Sequence, residues 1–227
     1  MSSSIKVMSD DDSGSGSLRD AISTAVSGDT IIFDPAIDTI KLTSGQIKID
    51  KNLTINGPGA DKLRVSGDKK SRVFEISGGV EVTIKGISIM NGFTLDEGGA
   101  IRNNGILTIT DSTIFDNRAD HGGAMYNNGT IIITNSTISD NTWIYLGGAI
   151  FNNNGTITIT NSTISDNRAA DGGAIANYDT ITIRNSTLYN NRADTVGGAI
   201  TNDGIITITD SMLSNNHADG GGVLSIT

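Results

Sequence analysis

From Gly98 onward the chain repeats one phrase every 24 to 26 residues, and that repeat restricts it to a stacked array of equivalent units. The phrase opens Gly98-Gly99-Ala100-Ile101-Arg102-Asn103, returns at Gly122, Gly147, Gly172 and Gly197, and begins again at Gly221. A unit this short cannot bury an apolar face by itself, so each copy must lie on its neighbours.

Within a copy, apolar and polar residues alternate over short runs, as in Thr156-Ile157-Thr158-Ile159-Thr160. That is the period of a half-buried strand. Three such runs, around Ile150, around Ile157 with Ile159, and around Ile164, are separated by turns rich in Asn, Asp and Gly, which predicts three short strands per coil of a parallel β-solenoid. Stacking places Ile101, Met125, Ile150, Ile175, Ile200 and Leu224 in one inward column. Leu107 to Ile206 and Ile109 to Ile208 make two more, and Ile114 to Leu213 a fourth. β-Branched side chains suit these columns because their stiffness at χ1 costs little in a strand.

Two Asn columns recur, Asn103, Asn127, Asn152, Asn177 and Asn202, then Asn117, Asn141, Asn167, Asn191 and Asn216. Asn tolerates left-handed backbone and its amide bonds to copies above and below, so both columns are assigned to structure, as ladders at turns. Before Gly98 the scheme continues more loosely, with Ile31, Phe33, Ile40 and Leu42 in an opening coil, then Ile47, Leu53 and Val65, then Phe74, Val82 and Ile89. The count is about eight coils, a rod roughly 40 Å long at the strand spacing.

Ser17 reads as the N-cap of the one convincing helix, with Asp20 three residues on, an apolar face of Leu18, Ala21, Ile22, Ala25 and Val26, and Gly28 as its C-terminal glycine. The helix should plug the first coil, because an open solenoid end exposes core and unpaired strand groups. One continuous domain follows: 1–29 as a lead-in strand (Ile5, Val7), a mobile loop and the helical cap, 30–97 as irregular first coils, and 98–227 as regular repeats. The net charge of -9 with no basic cluster argues against nucleic acid and anionic membranes as partners. No apolar run is long enough for a spanning helix, so no membrane insertion is expected. The absence of Cys removes disulfides, thiolate nucleophiles and sulfur metal sites, and nothing in the chain calls for a cofactor.

The Gly-Gly-Ala-Ile and Ile-x-x-Asn phrases (Ile114-Phe115-Asp116-Asn117, Ile164-Ser165-Asp166-Asn167) resemble repeats of chlamydial polymorphic outer membrane proteins. The chain as a whole resembles bacterial and archaeal surface proteins of the pectin-lyase-like fold. Gly16-Ser17-Leu18-Arg19-Asp20-Ala21-Ile22 is similar to the Cys-Ser-Leu-Arg-Glu-Ala cap of secreted β-helix proteins, with Gly16 replacing the Cys and Asp20 the Glu. The resemblance covers the chain from Gly14. It implies an all-β, right-handed, single-stranded parallel β-helix, a cell-surface or extracellular location, and a structural or adhesive role. Such proteins are exported, and no signal peptide is read after Met1, so a trimmed chain or a fragment is expected.

Enzymes of that fold gather carboxylates beside long loops. Here Asp116, Asp140 and Asp166 share one repeat position, followed in the column by Asn190 and Asn215. A repeated column offers no asymmetric pocket to separate two carboxylate pKa values. It reads as a solvated acidic ladder partly neutralised by Arg118, Arg168 and Arg192, with cation binding at the three Asp as the weaker alternative. His121 and His217 lie about four coils apart, too far to act together.

Thr142-Trp143-Ile144-Tyr145-Leu146 breaks a turn that is polar in sister copies. Trp143, Tyr145, Tyr126 and Phe151, the last two at outward strand positions, are the ligand-site candidates, for a glycan or a surface protein. The alternative is that these rings pack on one another over a bulged turn. Outward Thr156, Thr158 and Thr160, with Thr180, Thr182, Thr207 and Thr209, resemble the arrays of ice-binding solenoids, interrupted by Ile132 and Arg184. Asn135, Asn161 and Asn185 head Asn-x-Thr triplets and are read as turn residues rather than glycan acceptors. The final strand around Leu224 has no cap, which predicts tail-to-tail self-association or a cut through a longer rod. The expected function is a non-enzymatic structural or adhesive module. The alternatives are a carbohydrate-binding or carbohydrate-active β-helix and an ice-binding solenoid.

Overall fold

The computed structural model describes residues 2–226, apart from the side chains of Trp143 and Ile144, and the described chain is a parallel β-solenoid. A regular coil runs through four strands: Ile101–Asn103 in sheet 1, Ile106–Thr110 in sheet 2, Thr113–Phe115 in sheet 3 and Arg118–His121 in sheet 4. Sheets 1 and 3 each have eight strands, sheet 2 nine and sheet 4 five. Every strand pairs with its equivalent one coil away, in the register the columns require. Ile150 faces Ile175 and Ile175 faces Ile200, Ile157 faces Ile181, and Ile164 faces Leu188. One apolar core results, running from Val7 to Ile200.

The turn count is close to the eight expected, and one feature differs from the three-strand coil. The lead-in strand Ser4–Val7 is itself a rung, pairing Ile5 with Ile31 and Val7 with Phe33, so the turns number about nine. Where a turn was expected, Arg118–His121, Thr142–Leu146, Arg168–Ala169, Arg192–Ala193 and His217–Ala218 form sheet 4. The physical reason is that these strands present mainly one small inward residue. Ala119, Ala169 and Ala193 are fully buried, but a single Ala among polar neighbours leaves no alternation to read.

The repeated glycine pair serves two different needs. Gly147 has φ +68°, a backbone that side-chain-bearing residues rarely adopt, and it turns sheet 4 into sheet 1. At Gly148 a Cβ would stand 2.2 Å from the carbonyl oxygen of Gly173, its equivalent one coil on, so only a bare backbone stacks there.

Left-handed backbone does not sit where the sequence reading placed it. Asn135, Asn161 and Asn185, between sheets 2 and 3, and Asp116, Asp140, Asp166, Asn190 and Asn215, between sheets 3 and 4, have φ of 47 to 57°. The laddered Asn lie outside that region: in the Asn117 column the preceding Asp or Asn has already made the turn, and the Asn103 column closes the strands of sheet 1. Their job is satisfaction of buried groups. Asn103, Asn127 and Asn152 each donate from Nδ2 to the next Asn at 2.7–2.8 Å, and Asn117, Asn141 and Asn167 do the same at 3.0 Å. A third ladder went unread in the sequence. The N–H of Ser112 bonds to the Oγ of Ser136, and that of Ser136 to Ser162, both at 3.2 Å.

The cap is α1 (Leu18–Thr24), with Ser17 accepting from the Asp20 N–H as its N-cap. It ends earlier than predicted: Ala25 is the C-cap, Val26 is exposed rather than part of the apolar face, and Gly28 lies beyond the end in the following turn. Arg19 fastens the cap to the rod, donating to the carbonyls of Gly45 at 2.6 Å and Gln46 at 2.9 Å and pairing with Asp12 at 2.7 Å. Asp12 also accepts from the Ser44 N–H. The loop before α1, expected to be mobile, is thereby tied to the second coil. Lys51 Nζ lies 3.1 Å from the Ser23 and Ala25 carbonyls, a cation against the helix C-terminus.

Candidate ligand-binding surface

The outward middle positions of sheet 1 form the column Lys48, Glu75, Arg102, Tyr126, Phe151, Ala176 and Thr201. Beside it runs a second column, Glu97, His121, Leu146 and Asp171. Between them lies a shelf that changes from charged to aromatic to small along the rod.

The aromatic part depends on a bulge. Ala119 faces Trp143 but His121 faces Leu146, so the strand Thr142–Leu146 carries one extra residue. A bulge re-aims side chains, and here Tyr145 is 53 % exposed. Its ring stacks on His121 at 5.7 Å, and His121 also meets Phe151 at 5.5 Å. Phe151 in turn packs edge-on against Tyr126 at 5.5 Å and Tyr178 at 5.1 Å.

The candidate aromatics therefore separate into two kinds. Tyr126 and Phe151 face outward from the main core, but they are not exposed as expected: each is 5 % accessible, buried in a small cluster with Ala176 under Leu146. The rings that meet solvent are Tyr145 and Tyr178, the latter 40 % exposed. Trp143, the remaining candidate, has its side chain outside the described residues. Tyr178 and His121 were not assigned to the site from sequence. A signal for Tyr178 was present, since it follows a laddered Asn where sister copies carry Asn104, Asn128, Asn153 and Asp203.

His121, Tyr145, Leu146, Ala170 and Asp171 line a groove of ≈ 330 Å³. Among the described residues, the buried Nδ1 of His121 has no hydrogen-bond partner. Burial, then the charges of Asp203 and Asp171, raises the Tyr178 phenol above its ordinary pKa. Burial and then Glu97 do the same for Tyr126. Both hydroxyls therefore stay protonated as hydrogen-bond donors. The charged end is internally paired: Arg102 Nε lies 3.3 Å from Glu97, while buried Arg72 donates to the Glu97 carbonyl at 2.6 Å and to Gln46 Oε1 at 2.6 Å.

The acidic column is elsewhere. Asp116 and Asp140 border a separate groove of ≈ 510 Å³ with Lys69, Phe93, Arg118 and Thr142, and Asp166 accepts from Asn190 Nδ2 at 3.3 Å. Among the described residues, no three His, Cys, Asp or Glu are arranged to hold a metal ion. The expected neutralisation by arginine is also different. Arg168 pairs with Asp194 at 2.8 Å and Arg192 with Asp219 at 2.7 Å, because these guanidinium groups reach along sheet 4 to the next coil.

A family model described as "Right handed beta helix region" matches residues 33–170. No curated protein and no solved structure matches the chain.

Proposed function

This chain belongs to the right-handed β-helix family, and from that premise we propose that it is a non-catalytic, surface-displayed adhesive module that binds a neutral glycan on the aromatic shelf. Fold alone assigns no activity, so the reading rests on the site. The observation that carries it is the pairing of exposed Tyr145 and Tyr178 with a base of half-buried His121 and buried Phe151. Rings held from beneath present flat apolar faces without further ordering cost, which suits stacking on the C–H face of a sugar. Asp171 at the groove edge supplies acceptors for sugar hydroxyls. Asp171 and Asp203 beside Tyr178 disfavour an anionic glycan by like-charge repulsion.

The two carboxylates of the column beside the rings are too far apart to act as a glycosidase pair. Glu97 and Asp171 stand three strand steps apart in their column, about 14 Å at the strand spacing. Glycosidase pairs work at about 5 to 9.5 Å. The test is a glycan array followed by calorimetry on the full chain, beside a Tyr145→Ser/Tyr178→Ser variant with an unchanged circular dichroism spectrum. Neutral oligosaccharides should bind the wild type and lose at least tenfold in affinity on the variant. An array without neutral hits, or equal affinities, would remove the proposal.

A further inference from the structure

The face of sheet 2 lies apart from the shelf and has a different chemistry. From Ile106–Thr110 to Ile205–Thr209 five strands pair without a register shift. Their middle outward column is Thr108, Ile132, Thr158, Thr182 and Thr207. The two flanking columns are Thr throughout except for Ile106, Ile205 and Arg184. Hydroxyls and methyls thus recur about every 4.8 Å along the rod and about every 6.6 Å along each strand.

We infer that this face adsorbs to ice, the threonines holding a layer of ordered water that merges with the crystal surface. Three observations choose that occupant. In a chain of net charge -9, the outward positions of these five strands carry one charged residue, Arg184, so no charged polymer is complemented. They carry no aromatic residue, whereas protein interfaces concentrate Tyr, Trp, Phe, Met and Arg, and sugar surfaces call for rings to stack on. Ile106, Ile132 and Ile205 remain 41 %, 37 % and 66 % exposed, so the face joins apolar contact to a periodic hydroxyl grid rather than being merely polar.

The experiment measures thermal hysteresis and inhibition of ice recrystallisation by the full chain, with Thr158→Lys and Thr182→Lys made separately. A lysine at either position points outward and leaves the core columns intact, so at least one variant should match the wild-type melting temperature. The wild type should open a hysteresis gap and keep ice grains small, and the folded variant should lose most of both effects. Tyr145→Ser/Tyr178→Ser should keep them, which separates this face from the glycan shelf. A wild type indistinguishable from buffer overturns the inference, as does a folded lysine variant with undiminished activity. Adsorption to microcrystalline cellulose or chitin that Thr158→Lys abolishes, without any effect on ice, also overturns it and reassigns the face to a polysaccharide surface.

Discussion

Two donors of Asn141 share one acceptor on Asn167: both the side-chain amide and the backbone N–H of Asn141 reach Oδ1 of Asn167, each at 3.0 Å. Asn167 also donates to the carbonyls of Ile138 and Ser165. Asn167→Leu would leave the Asn141 backbone N–H without its acceptor and would take one bond each from Asn141 Nδ2, the Ile138 and Ser165 carbonyls and Asn191 Oδ1, where no water reaches them. At about 1 to 3 kcal/mol for the buried N–H left unpaired and about 0.5 to 1.5 kcal/mol for each further bond lost, the expected loss is about 3 to 5 kcal/mol after relaxation. Chemical denaturation measures it. Asp166→Gly, one residue earlier in the left-handed turn, should stay within about 1 kcal/mol of wild type, since glycine adopts φ 57° freely. A large loss there would give the acidic column a role beyond its turn.

Ile159 is fully buried, whereas Thr158 beside it is half-buried on the outward face. Ile159→Lys puts an unpaired charge between stacked isoleucines and should cost more than about 4 kcal/mol or abolish folding. Thr158→Lys should change stability by less than about 0.5 kcal/mol. Equal melting temperatures for the two proteins would refute the register.

Arg19 is the clasp between α1 and the second coil, through the Gly45 and Gln46 carbonyls. Arg19→Ala should weaken the cap by about 2 kcal/mol, given the usual worth of hydrogen bonds from charged donors. Because a solenoid is stabilised coil by coil, hydrogen exchange should accelerate in α1 and its loop while the coils after Gly98 stay protected. Uniform acceleration along the rod would show the cap to be part of a single cooperative unit.

Asp29 ties the lead-in segment to the helix end. Its carboxylate accepts from the Ser3 N–H at 2.8 Å and the Val26 N–H at 3.0 Å. These backbone hydrogen bonds, Ser3 first, hold its pKa below the usual carboxylate value. A depressed folded pKa means the stabilisation is complete above the unfolded value of about 3.9 and is lost as pH falls through the folded one. Amide exchange at Ser3 and Val26 should therefore speed up below about pH 4 beyond the intrinsic trend. Asp29→Asn should show that opening at neutral pH and no further acid dependence.

Much of this rod is written in its repeat. The alternation around Ile157 and Ile159 set strand, face and column, because a two-residue period has one buried solution when every copy must lie on the next. Ser17, Asp20 and Leu18 likewise marked the cap from local chemistry, although its end at Thr24 rather than near Gly28 depended on where the chain had to turn to pair Asp29–Phe33 with the first rung. Sheet 4 stayed hidden because in most of its strands, those of Ala119, Ala169 and Ala193, the buried residue is a lone Ala, which has too little apolar surface to stand out.

The shelf was legible only in part, and for a different reason. Tyr126, Phe151 and Tyr178 come from three successive coils, and which of them reaches solvent is decided by the extra residue in Thr142–Leu146 and by Leu146 covering the rings beneath. Sequence by itself determined the recurring apolar columns and the Asn ladders, since near-identical copies must solve the same packing problem in the same way. What occurs once, the bulge and the rings gathered around it, was decided by tertiary structure, because a side chain's exposure there depends on neighbours one coil above and below rather than on its own period.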